Sequence, residues 1–194
     1  QSPGVQTNAL NLCSAPIGFV RVELASNEQK YVSVPFIPFD PSASTVLVNV
    51  TNDETAGRAF KWDVASQVYS SADLSSLDSS GMTFEPGEGF VIENKSMART
   101  IFLSGDINLD PTNAITFSHG PTLFAYPYST AMRLENTGLW RLWSEDNAKE
   151  DEIIDPSGEL AASGLLTPGR GYWYKRNSGK PLIWAEPMPY ADFQ

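Results

Sequence analysis

The sequence holds one cysteine, Cys13, and one histidine, His119, among 194 residues. A lone cysteine excludes an internal disulfide framework, and the two together exclude a Cys/His zinc site or catalysis that needs a second histidine. Positive charge is also scarce, with 13 lysines and arginines against 23 acids and a net charge of -10. Such a balance repels polyanions, so nucleic acid is not an expected partner. No apolar run is long enough to form a transmembrane helix. No basic stretch followed by an apolar segment opens the chain, and the expectation is an exported protein whose signal has been removed.

What is plentiful is turn chemistry: Gly and Pro number 14 each, beside 41 % hydrophobic residues. Short runs rich in β-branched and aromatic residues, separated by turn signals, predict an all-β fold. Strands are expected at Gly18–Leu24, Tyr31–Phe36, Ser44–Thr51, Arg58–Val64, Gly89–Glu93, Thr100–Ser104, Ile115–Ser118, Thr122–Tyr126, Leu139–Ser144, Gly171–Lys175 and Pro181–Ala185. Helical turns are expected only around Ala72–Asp78 and Glu145–Ile153.

The chain also matches itself. Pro86-Gly87-Glu88-Gly89-Phe90-Val91 parallels Pro168-Gly169-Arg170-Gly171-Tyr172-Trp173, and Ile101-Phe102 follows at the same spacing as Ile183-Trp184. Upstream, Gly57–Trp62 parallels Gly138–Trp143, and Val34-Pro35-Phe36 parallels Tyr126-Pro127-Tyr128. The pattern predicts two tandem, similar β-sandwich or barrel modules from an internal duplication, residues 16–117 and 118–194, behind an extended N-terminal arm, residues 1–15. Proline presets φ and the glycines accept positive φ in each P-G-x-G turn, so a β-branched residue at Gly87 or Gly169 is expected to clash.

These motifs, with Pro16-Ile17-Gly18-Phe19-Val20 and Val32-Ser33-Val34-Pro35-Phe36, resemble the duplicated secreted β proteins of Verrucomicrobia and related bacteria. The resemblance implies the fold and export. It transfers no catalytic or binding residue.

Seven acids, Glu145, Asp146, Glu150, Asp151, Glu152, Asp155 and Glu159, lie close together with only Lys149 among them. Such a loop offers oxygen ligands for calcium, with Asp151 and Asp155 as candidates, and competes with a plain solvated loop. Asp106, Asn108 and Asp110 form a D-x-N-x-D alternation that lacks the glycine and distal glutamate of a calcium loop. Downstream, Arg170, Lys175, Arg176 and Lys180 have no acid between them. This polarity either joins subunits head to tail or closes pairs within the chain.

Trp140 and Trp173 have no tryptophan counterpart in the first module and are the candidates for stacking on a sugar, whereas Trp143 and Tyr172 have counterparts and read as core. If Tyr172 and Tyr174 are buried, alternation turns Trp173 outward. Ser118-His119 sits in no G-x-S-x-G elbow, and no motif calls for an enzyme. The expected function is therefore a secreted, non-enzymatic structural protein of the cell exterior that assembles with itself into a filament or layer by strand addition. The contacts would be Val5, Leu10 and Leu12 of the arm or Phe19 and Val20 behind it, with Arg170, Lys175 and Arg176. The alternative is a module binding an extracellular polysaccharide, and calcium is the one possible cofactor.

Overall fold

In a computed structural model, which describes residues 16–48, 57–95, 97–145, 151–155, 158–159 and 164–190, the chain is all-β with short helical insertions. The first half runs β1 (Ile17–Leu24), β2 (Gln29–Ser33), a one-turn helix α1 (Ala43–Val46), β3 (Gly57–Asp63), β4 (Val68–Asp73), a 3-10 segment (Leu74–Ser79), β5 (Gly89–Asn94) and β6 (Arg99–Asp106). The second runs β7 (Thr112–Phe117), β8 (Gly120–Phe124), β9 (Met132–Arg133), α2 (Gly138–Glu145), β10 (Glu152–Asp155), β11 (Gly158–Glu159), β12 (Leu165–Leu166), β13 (Tyr172–Arg176) and β14 (Leu182–Pro187).

Pairing is antiparallel throughout. In the first half β1 pairs with β6, and a four-stranded sheet has the order β2-β5-β3-β4. In the second, β7 pairs with β14, and the four-stranded sheet reads β8-β13-β10-β11. Each half has its own core. Val22, Leu24, Val32, Phe84, Phe90, Ile92, Ile101 and Leu103 fill the first, and Phe117, Phe124, Tyr126, Tyr128, Tyr172, Tyr174 and Trp184 fill the second.

The P-G-x-G turns cross between the halves. Arg170 bridges Val32 of β2, with the Ser33 N–H donating to the Gly169 carbonyl (3.2 Å) and the Gly171 N–H to the Tyr31 carbonyl (3.3 Å). Reciprocally, Glu88 bridges Phe124 of β8, and the Ala125 N–H donates to the Gly87 carbonyl (2.9 Å). The variable residue of each turn pairs back to its own sheet, Glu88 with Lys61 (2.7 Å) and Arg170 with Asp155 (3.1 Å). Gly87 and Gly169 take φ of +86° and +80°, the left-handed region that a side chain disfavours.

Several expectations from the sequence are corrected. The strand expected at Ser44–Thr51 begins as α1 instead, and residues 49–51 lie outside the described residues. Its cause is local: the Asp40 carboxylate accepts from the Ser42 N–H and the Thr45 hydroxyl (both 2.9 Å), holding the D-P-S-x-S-T stretch in a turn. The strand expected at Leu139–Ser144 is α2. Thr137 caps it by accepting from the Trp140 N–H (3.2 Å). Its apolar residues, Leu139, Trp140, Leu142 and Trp143, repeat at helical spacing. The parallel between Gly57–Trp62 and Gly138–Trp143 therefore fails, and the helical turn expected at Glu145–Ile153 gives way at its far end to β10.

The parallel of Ile101 with Ile183 is off by one. Ile101 is buried, but Ile183 is exposed and Leu182 and Trp184 point inward, since one residue of slip reverses a strand's faces. Finally, β7 pairs with β14 and places Phe117 in the second core, so the halves divide at residues 107–111 rather than after 117.

Candidate functional site

Although only a short turn joins β1 to β2, the two strands do not pair with each other; they belong to different sheets. The Ile107 N–H donates to the Pro16 carbonyl (2.9 Å), which sets the phase of the β1–β6 ladder. The main chain of Phe19, Arg21 and Glu23 thus faces away from β6. The Asn94 N–H donates to the Glu28 carbonyl (2.8 Å), so Gln29, Tyr31 and Ser33 likewise face away from β5. These two edges, that of β2 already engaged at Tyr31 and Ser33 by the Gly169–Gly171 turn, flank a groove of about 380 Å³ lined by Val20, Arg21, Val22, Gln29, Tyr31 and Arg170, among others. The Gly169–Gly171 turn fills one end, and the Lys30 ammonium donates across the other to the Glu23 carbonyl. Between them, the main-chain groups of Phe19, Arg21 and Gln29 have no backbone partner among the described residues.

Of the residues expected to mediate assembly, Val20 and Arg170 line this groove. Phe19 is 72 % exposed and stands on the outer face of the β1–β6 ribbon with exposed Phe102. Near Phe102, Phe39 and Val48 line a hollow of about 250 Å³. Val5, Leu10, Leu12 and Cys13 lie outside the described residues. Among the described residues, three of these charges pair within the chain: Arg170 meets Asp155 (3.1 Å) and, because β13 lies against β10, Lys175 meets Glu152 (3.5 Å) and Arg176 meets Asp151 (2.6 Å). The Arg176 and Asp151 side chains are only 4 % and 2 % exposed, which removes Arg176 from any subunit contact.

The same pair removes Asp151 as a calcium ligand. Its carboxylate already accepts from Arg176, from the Tyr174 hydroxyl (2.8 Å) and from the Asn177 N–H (2.8 Å). Asp155 faces Arg170. Asn108 is buried and donates to the Pro127 carbonyl (3.3 Å), while its amide oxygen accepts from the Asp110 N–H (3.1 Å). Asp106 exchanges main-chain hydrogen bonds with Ile37. Among the described residues no three His, Cys, Asp or Glu side chains converge as a metal site, and no helix is long and apolar enough to cross a membrane.

Trp140 and Trp173 belong to separate aromatic groups. Trp140 is half-buried on α2 and meets Trp143 (4.6 Å between ring centroids). Trp173 is half-buried on the outer face of β13, between Tyr172 and Tyr174 that point into the core. It sets its ring edge-to-face against Trp62 (5.3 Å), Tyr31 and Tyr69 (both 6.3 Å) of the first half. The Trp62 indole N–H donates to the Pro121 carbonyl (2.8 Å), locking the cluster across the junction. Tyr31, Phe60, Trp62 and Tyr69 share the outer face of the β2-β5-β3-β4 sheet, a set that sequence reasoning missed because β4 was not expected as a strand.

Glu186 was also unforeseen. It is buried, and its carboxylate accepts from the Gly138 N–H (2.7 Å) at the start of α2, the Trp184 indole (2.8 Å) and the Tyr126 hydroxyl (3.3 Å). Burial pushes its pKa above the ordinary 4.5, against those hydrogen bonds. A folded-state value above the unfolded one contributes stability below pH 4.5 that is lost as pH rises through the folded value. In melting curves from pH 4 to 8, the stability of wild type relative to Glu186→Gln is expected to fall as pH rises; a constant difference counts against the shift.

No protein-family model, curated protein or solved structure matches this chain.

Proposed function

We propose that this protein is a secreted, non-enzymatic structural protein of the cell exterior that assembles with itself into a filament or layer by strand addition. The observation that carries the reading is the groove between β1 and β2, where two strand edges leave main-chain donors and acceptors facing one channel. An extended segment laid there gains main-chain hydrogen bonds that depend little on its side chains, and covers the apolar wall formed by Val20 and Val22. The exposed rings of Phe19, Phe39 and Phe102 add an apolar surface beside it that a neighbouring subunit would cover. The N-terminal arm, with Val5, Leu10 and Leu12, is the donor in this reading. The matching strand orders and the reciprocal turns support tandem duplication of one sandwich-like module.

Arg21→Pro tests the groove with little collateral damage, because it removes an N–H that faces the groove and leaves the β1–β6 ladder its bonds. Light scattering after size exclusion, with negative-stain microscopy, is expected to find polymers of the wild type. Arg21→Pro and a chain lacking residues 1–15 are expected to be folded monomers. A wild-type protein that stays monomeric, or polymers that survive both changes, would overturn the proposal.

A further inference from the structure

The aromatic face of the β2-β5-β3-β4 sheet carries an inference that is independent of assembly. Tyr31 on β2 and Tyr69 on β4 are the walls of a cleft of about 200 Å³, with Phe60 and Val91 as its floor and Gln29 at its rim. The volume is below the roughly 300–1,000 Å³ typical of drug-sized ligands, so the cleft takes a single ring rather than a whole chain. Trp62 and Trp173 buttress Tyr69 from behind, with Trp62 4.9 Å from it edge-to-face. The walls are therefore held by packing from both halves of the molecule before any ligand arrives.

The polar groups narrow the ligand class. Neither the Tyr31 nor the Tyr69 hydroxyl has a hydrogen-bond partner among the described residues, although each can donate and accept. Burial, and then the neighbouring Tyr31, push the Tyr69 phenol up to about 12, so it stays protonated in ordinary surroundings. The next row across the same face is Gln29, Glu93, Arg58 and Asp73. Its charges are paired off, Arg58 with Asp73 (2.7 Å) and Glu93 with Lys95 (3.4 Å). The cleft thus offers aromatic surface, hydroxyls, an amide and no uncompensated charge, on a protein of net charge -10.

A ligand that complements all of these has apolar C–H faces, a rim of hydroxyls and no charge. We propose that the Tyr31–Tyr69 cleft binds one pyranose ring of a neutral polysaccharide, its C–H faces against the aromatic walls and its hydroxyls on the two phenols and Gln29. Anionic glycans are disfavoured by the protein's own charge, and aromatic ligands leave the phenols unpaired.

Affinity electrophoresis of the full chain tests this in native gels containing hydroxyethyl cellulose, galactomannan or soluble starch, with alginate and carrageenan gels beside them. Retardation of the wild type in at least one neutral gel is expected. Tyr69→Ala should weaken that interaction roughly tenfold or more, and Tyr69→Phe, which keeps the ring, by less. Trp140→Ala, in the other aromatic group, should leave it unchanged, and circular dichroism checks that each variant is folded. Mobility unchanged in every neutral gel, retardation only by the anionic glycans, or retardation that survives both Tyr69→Ala and Tyr31→Ala would overturn the proposal. The readout does not depend on polymerisation, so its failure leaves the assembly reading standing.

Discussion

Asp151→Ala is expected to cost about 3–5 kcal/mol of folding stability, the usual penalty for stripping one partner from a buried ion pair. The substitution leaves the Arg176 guanidinium with the Lys180 carbonyl (2.6 Å) as its one remaining acceptor among the described residues. It also removes the carboxylate that accepts from the Tyr174 hydroxyl and the Asn177 N–H. A typical domain has only about 5–15 kcal/mol in total, so the variant should be marginal at room temperature. Asp151→Leu combined with Arg176→Met removes both charges together, and should be less damaging than Asp151→Ala alone. Urea unfolding of the three proteins checks this. An Asp151→Ala loss below about 1 kcal/mol would mean that water reaches the pair and the site is not desolvated.

The second large effect is expected at Gly169. A Cβ there would overlap the Val20 side chain, and the position has φ of +80°. Left-handed backbone costs a β-carbon roughly 1–2 kcal/mol, and overpacking roughly 1–3 more, so Gly169→Val should lose about 2–5 kcal/mol. Gly87→Val carries the same backbone penalty, but its nearest contact is the flexible end of Ile115 at 3.0 Å. It should lose less. Thermal melts that rank the two variants equally would show that Val20 moves aside freely. Because Val20 also lines the groove between β1 and β2, that outcome would describe a deformable groove wall.

Most strands were legible because their turns and their alternation are written locally. Tyr172 and Tyr174 point inward and Trp173 outward, as a period of two requires. The failures lie where register or long-range pairing decides. Glu186 was missed because the expected strand stopped at Ala185, whereas the strand runs on to Pro187 and buries Trp184 and Glu186 on one face. The aromatic cleft was invisible because β4 holds only Val68, Tyr69 and Ala72 as apolar residues and is an exposed edge. Without β4, Tyr69 had no strand to share with Phe60 and Tyr31. In α2 a signal was present, Thr137 ahead of apolar residues at helical spacing, but an apparent match to Gly57–Trp62 outweighed it. The acids and bases of the second half were seen as separate blocks, and only the antiparallel pairing of β10 with β13 makes them partners.

The crossing turns have the form of an isologous contact: Arg170 meets Val32 as Glu88 meets Phe124. Each half also closes on itself, with Ile17 beside Asp106 and Thr112 beside Pro187. In thermodynamic terms the two halves bind each other as a tethered pair joined by residues 107–111, at an effective concentration on the order of millimolar for so short a link. A single cut in that link would leave the pieces associated but make their stability depend on dilution, which the intact chain never experiences.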